Sequence, residues 1–325
     1  MTHTNHKNFH IYTAVLMLCI LLAACSDSLF DGEGGKLNGD DLRTLRYMAG
    51  RGIDGSATNG RLADIDISGA RIVAGGGVYD AARYSEDNVV GVGLFAACSN
   101  LKNIKLPMDV TKIEKDAFLN CSSLRSIVIP ATVSSIIPSA GCTSLEDISV
   151  SGANTSYTSS DGVLLSGDAK SILWFPMGKR GDYALPATVT AVGPYAFRDC
   201  SIEKFVFPSG LTKIGECAFY NSKVREVLLP STLKMLPTGV FQKCANLKTV
   251  RLGNDVELLS DYVFDGCPLT DLYITAPLPP VCNSNTFATT GANFVKTCRL
   301  HVPKGRKKYY RANAKWNVFD NIVEE

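Results

Sequence analysis

Eleven cysteines, four histidines and a pair of alternating aspartates are where any chemistry of this 325-residue chain would have to begin. The histidines decide the most. His3, His6 and His10 precede the cleavage site derived below, so the mature chain keeps His301 alone. A zinc centre built on several histidines is excluded, and a Ser-His-Asp or Cys-His centre would have to use His301. Asp64 and Asp66 alternate on one strand and share a face, as the paired carboxylates of a glycosidase do. No nucleophile–base spacing accompanies them, and a solvated strand face explains them more simply. The glycine run 75–77 lacks the Lys-Ser/Thr ending of a phosphate loop and reads as a turn. No catalytic set, metal site or cofactor motif is expected, and the chain reads as a non-enzyme.

The cysteines belong to a different pattern. Nine of them follow Cys25, and Cys98, Cys121, Cys142, Cys200, Cys244 and Cys267 recur at one position of a repeating unit, with Ser222 in the same place. Side chains stacked in one slot point the same way, whereas a disulfide needs its two Cβ atoms turned towards each other. They read as small buried side chains that complete a turn. Cys282 and Cys298 fall outside the slot, and either a single bridge or two free thiols fits them. Without close Cys-x-x-Cys pairs a thiolate metal ladder is not expected.

The unit itself is seen in residues 101–121, LKNIKLPMDVTKIEKDAFLNC, with apolar Leu101, Ile104, Leu106, Val110, Ile113, Ala117 and Phe118. It returns with Ile127, Ile129 and Pro130, with Phe205, Phe207 and Pro208, with Val227, Leu229 and Pro230, and with Val250 and Leu252. The period is about 21 to 23 residues, within the range of leucine-rich repeats. One unit cannot bury its apolar rows alone, so units must stack into a solenoid. Phe197, Phe219, Phe241 and Phe264 hold one position of successive units and predict an internal aromatic ladder.

The I-P-x-x-V-x-x-I-x-x-x-A-F-x-x-C spacing resembles the BspA-like class of leucine-rich repeat, from residue 62 to the end. The fold class that follows is mainly β: a leucine-rich-repeat solenoid with N- and C-terminal caps. Residues 1–24 read as a lipoprotein signal peptide: Lys7, the apolar run 11–22, then Leu22-Ala23-Ala24-Cys25. Cys25 would be acylated and hold the chain to outer-membrane lipid. Residues 25–40 read as a flexible tether whose Asp27, Asp31 and Glu33 suit either a surface-export tag or a solvated linker. Residues 41–75 make the N-terminal cap and first strand, with a helix over 41–50. The solenoid runs over 76–302 with an insert at 151–185, in which residues 170–175 supply the main strand of an enlarged rung. Residues 303–325 make the C-terminal cap, Tyr309 and Trp316 packing within it. The resemblance implies an adhesin-like role at the cell surface, towards host proteins and other cells.

The charge balance of 33 basic and 31 acidic residues, formally +2, provides no global field for nucleic acid, and no nucleic-acid partner is expected. The basic cluster Lys304, Arg306, Lys307, Lys308 and Arg311 reads as a solvated face. Binding would fall to the outward positions of the strands: Asp66, Lys105, Val128, Ser149, Trp174, Val206, Leu228, Arg251, Tyr273 and His301, with Ile172, Lys204 and Glu226 on the neighbouring row. The middle of that row is apolar. Either β-propensity or a binding patch accounts for it. The candidate contacts are Val128, Ile172, Trp174, Val206, Leu228, Arg251 and Tyr273. An extracellular or host protein is the expected partner, and the alternative is a cell-surface glycan stacking on Trp174 and Tyr273.

Overall fold

The computed structural model describes residues 35–288 and 294–325, and they wind into a solenoid of parallel strands. Its principal sheet runs through Asp64–Asp66, Asn103–Lys105, Ser126–Ile129 and Asp147–Val150. It resumes with Tyr183–Ala184 paired to Phe205–Val206, and continues through Glu226–Leu228, Thr249–Leu252, Asp271–Ile274, Arg299–Val302 and Asn321–Glu324. Lys204 faces Glu226 in an isolated bridge that links the last two groups. A second row of two-residue strands, such as Met235–Leu236, Leu258–Leu259 and Val281–Cys282, lies on another side of the coil. Each long strand alternates, as in Ser126–Ile129, where Ile127 and Ile129 are buried and Val128 is exposed.

Inside, the aromatic ladder forms as the spacing predicts. Phe197, Phe219, Phe241 and Phe264 stack with centroid separations of 4.9, 5.4 and 6.2 Å. Phe95 and Phe118 stack at 5.8 Å in the N-terminal half. The repeat period and the strand spacing together place like rings above one another, and offset stacking adds to their burial.

The cysteine slot closes the turn after each phenylalanine. The residue before the slot adopts left-handed backbone at Ala97, Asn120, Asp199, Asn221 and Lys243, and at Asn120, Asp199 and Asn221 a short polar side chain tolerates it. The thiol then donates to the phenylalanine carbonyl one rung back: Cys121 to Phe95 and Cys244 to Phe219 at 3.0 Å, Cys142 to Phe118 at 3.2 Å. The Ser222 hydroxyl, buried in the same slot, lies 3.3 Å from the Cys244 sulfur. All nine cysteines among the described residues are free thiols, Cys282 and Cys298 included. Burial pushes the Cys98 thiol up to about 11 and those of Cys142 and Cys200 up to about 12, so they are poor nucleophiles and poor metal ligands.

The insert departs from the sequence reading. Tyr157–Ser160, Val163–Ser166 and Ser171–Trp174 form an antiparallel meander. Ser171–Trp174 then pairs in parallel with Ala191–Val192 of the second row, Ile172 facing Val192. It is not the principal strand of its rung. That place belongs to Tyr183–Ala184, with Ala184 opposite Val206. Ile172 and Trp174 are therefore 0% and 3% exposed, and neither reaches the outward face. Val163, Leu164 and Leu165 are all buried because their strand has core on both sides. Val163, Leu165 and Ile172 join the C-terminal core, while Leu164 and Trp174 join the N-terminal one. The meander is a partition between two apolar interiors.

At the N-terminal end a helix spans Gly39–Met48 and buries Leu42 and Leu45 in the first core. Asn38 and Asp41 form its capping box. Buried Arg46 donates from one nitrogen to the carbonyls of Gly93 and Leu94, at 2.7 and 2.8 Å. Lys36–Leu37 pairs with Arg71–Ile72, so residues 36–40, read from the sequence as tether, belong to the folded body. At the other end the short helix Lys307–Ala312 leads to Trp316, whose indole N–H donates to the Pro280 carbonyl at 2.8 Å. Tyr310 and Phe319 are buried beside it. Tyr309 does not pack there: it is exposed, with Arg306 and Lys308 near its ring.

Candidate functional site

In-register parallel pairing turns one position of each strand into a continuous outward row. Asp66, Lys105, Val128 and Ser149 form its first part, and Ala184, Val206, Leu228, Arg251, Tyr273, His301 and Val323 its second. Ala184 and Val323 are the members that the sequence reading missed, and Ala184 was within reach. Tyr183-Ala184-Leu185-Pro186 repeats the frame of Phe205-Val206-Phe207-Pro208, which was the available signal. Val128 is 44% exposed, Val206 52% and Leu228 63%. The insert separates Val128 from the other two, which lie on adjacent rungs.

The C-terminal part of the row is built as a stack. The Arg251 guanidinium carbon lies 3.5 Å from the Tyr273 ring centroid, and the Tyr273 and His301 rings lie 4.0 Å apart and nearly parallel, at 10°. His301 is held edge-on by two carboxylates: Nε2 is 2.9 Å from Asp271 and Nδ1 is 2.6 Å from Glu325. Arg299 adds a second contact to Asp271 at 2.9 Å. Burial pushes the Asp271 carboxyl up, but hydrogen bonds from His301, Thr270 and Arg299 outweigh it and hold the group below its ordinary range. Beside the stack lies a shallow groove of about 590 Å³, edged by Leu228, Ser231, Arg251, Asn254, Tyr273 and Glu325.

This geometry bears on each chemical candidate. Both nitrogens of His301 are engaged with carboxylates, and no hydroxyl or thiol is hydrogen-bonded to the ring among the described residues. A general base needs one nitrogen facing its nucleophile. Asp66 is paired with Lys105 at 2.8 Å and accepts from the Ser68 hydroxyl at 2.6 Å, while Asp64 accepts from Asn103 at 2.6 Å. Asp66 is ion-paired and Asp64 is hydrogen-bonded to an amide, so the two are not a free carboxylate couple. The Gly77 amide donates to Asp40, so this glycine turn packs on the helix start. As for sugar stacking, Trp174 is buried, and Tyr273 is covered on one face by Arg251 and on the other by His301. Among the described residues there is no cluster of metal-ligating side chains, and no helix is long and apolar enough to cross a membrane. Cys25 lies outside the described residues.

Comparison with known proteins adds the family. A model of the BspA type leucine-rich repeat region matches six copies, over residues 86–161 and 180–291. A leucine-rich cell surface protein from Faecalibacterium prausnitzii has a similar solved structure: 23% identity, TM-score 0.58, covering 81% of this chain and 64% of that one. The pneumococcal vaccine antigen PcpA is similar at 20% identity and TM-score 0.53, covering 82% of this chain and 68% of that one. This chain thus spans less than two thirds of the Faecalibacterium protein. Among curated proteins none matches. The matched repeats occupy more than half of the sequence and coincide with the rungs described above; the chain belongs to the BspA-type leucine-rich repeat family.

Proposed function

We propose that this is a non-enzymatic surface protein that captures a macromolecular ligand, in the manner of an adhesin, on the principal sheet of its solenoid. One observation carries the reading. Val206 and Leu228 stand in solvent on adjacent rungs, and Leu228 edges the Arg251–Tyr273 groove. Exposed apolar surface bordered by polar groups marks interaction sites on folded domains. A protein ligand, from a host or another cell surface, fits better than a glycan, because neither Trp174 nor Tyr273 has an open ring face for a sugar. The test is capture on protein and glycan arrays side by side. Leu228→Ser should lower capture about tenfold, roughly 1.4 kcal/mol, with the melting midpoint unchanged because this side chain fills no core. Undiminished capture by that variant would place the ligand elsewhere.

The same reading includes a lipid anchor at Cys25 and an outer-membrane location with the repeats facing outward. Its support is the run Leu22-Ala23-Ala24-Cys25 after an apolar stretch. Cys25→Ala should abolish incorporation of labelled palmitate and release the protein from membranes. Persistent labelling of the variant would remove the anchor from the proposal.

A further inference from the structure

We infer that the groove beside Arg251 takes an extended acidic peptide, with an aliphatic side chain resting on Val206 and Leu228 and a carboxylate held by the Arg251 guanidinium. The inference rests on the sheet being the binding face and adds the chemistry of its partner.

Arg251 is the distinctive group. Its guanidinium carbon lies over the Tyr273 ring, and its N–H groups make no hydrogen bond among the described residues. Those groups are poorly used, for the nearest carboxylate is Glu226 at 3.9 Å. Two arginines on or beside neighbouring strands are in short pairs instead, Arg225 with Glu203 and Arg299 with Asp271, both at 2.9 Å. A guanidinium presents parallel N–H groups that match a carboxylate's two oxygens. Its orientation is also held in advance. Tyr273 rests on His301, and His301 is fixed by Asp271 and Glu325, so the fork is aimed before a ligand arrives. Pre-orientation of this kind lowers the ordering cost of binding.

The surroundings fit a polypeptide. Ser231 and Asn254 edge the groove, and their side chains make no hydrogen bond among the described residues, which leaves a hydroxyl and an amide for a partner's backbone. Rungs lie about 4.8 Å apart, so Val206 and Arg251 are separated by about 10 Å, or about three residues of extended chain. The recognised pattern is an aliphatic residue within three positions of Asp or Glu. A sugar has no open aromatic face here, and a wholly apolar ligand would leave the aimed guanidinium without a use.

The experiment selects peptides from a phage-displayed random dodecapeptide library on the whole protein, then measures the synthesised peptides by fluorescence polarisation. Selected sequences should combine an aliphatic and an acidic residue at that spacing. Arg251→Gln should weaken them about tenfold or more. Changing the peptide's acidic residue to its amide should cost the same in the native protein and nothing further in Arg251→Gln. Glu226→Gln should tighten binding, because it removes the competing carboxylate; a merely structural Arg251 would not produce that gain. Melting curves of the variants check that each is folded. Peptides without an acidic residue, or with binding indifferent to Arg251→Gln, overturn the inference. If such peptides still fail on Leu228→Ser, the sheet remains the binding face and only its acidic specificity is lost. If they ignore both substitutions, the face itself is wrong. Recovery of no peptide overturns it as well, as does capture of a polyuronic oligosaccharide that is lost in Arg251→Gln, which would make the partner an acidic glycan.

Discussion

Phe241→Ala is expected to destabilise the solenoid by roughly 3–5 kcal/mol, the range for a large aromatic removed from a close-packed core. The side chain is fully buried, and its ring stacks on Phe219 at 5.4 Å and on Phe264 at 6.2 Å. A cavity there has no means of collapse, because the rungs above and below are held apart by their own strand hydrogen bonds. The loss should also be local. Each rung touches only its neighbours, so a gap in the ladder weakens the coupling between the two sides of that rung. Hydrogen exchange should quicken first in the strands Glu226–Leu228, Thr249–Leu252 and Asp271–Ile274. Tyr309→Ala, at an exposed ring, is the control and should move the denaturation midpoint little. An unchanged midpoint in Phe241→Ala would place that ring outside the core.

Trp174→Ala should cost a similar roughly 3–5 kcal/mol, and for a different reason. Trp174 lies opposite Leu164 in the meander and fills the N-terminal core where the two interiors meet. Removing it opens the partition rather than a rung, so the expected signature is loss of cooperativity between the halves: one denaturation transition becoming two. Ligand capture measured well below the transition should be unaffected, because the indole never reaches the outward row. A variant that melts like the native protein but loses capture would reverse both statements and return Trp174 to the binding face.

The arrangement of rungs was largely legible in the sequence because a solenoid reports itself through period. Strand pairing at constant spacing requires the same residue type at the same position of each unit, so Phe197, Phe219, Phe241 and Phe264 announce one column and Cys98, Cys121 and Cys142 another. The outward row follows from strand alternation alone, and Val206, Leu228, Arg251 and Tyr273 fall where that rule puts them. What the sequence lacked was the means to choose between two equivalent frames. Phe175-Pro176 and Leu185-Pro186 both match Phe207-Pro208, and local pattern does not say which segment pairs with Phe205–Val206. The pairing partner decides, and the partner is chosen by packing: Trp174 and Ile172 are large enough to close a core left open by the insert, while Ala184 is small and suits an exposed edge position.

The same limit applies to the site. Sequence placed Arg251, Tyr273 and His301 on one face but could not say whether that face was open. The coil brings Asp271 and Glu325 to the edge of His301, seats Tyr273 on it, and leaves Arg251 with only a long contact to Glu226. Repetition along the chain specifies which residues share a column. Only the register between columns and the contacts of non-repeating segments determine which of those side chains remain available to a partner, because burial depends on neighbours distant in sequence.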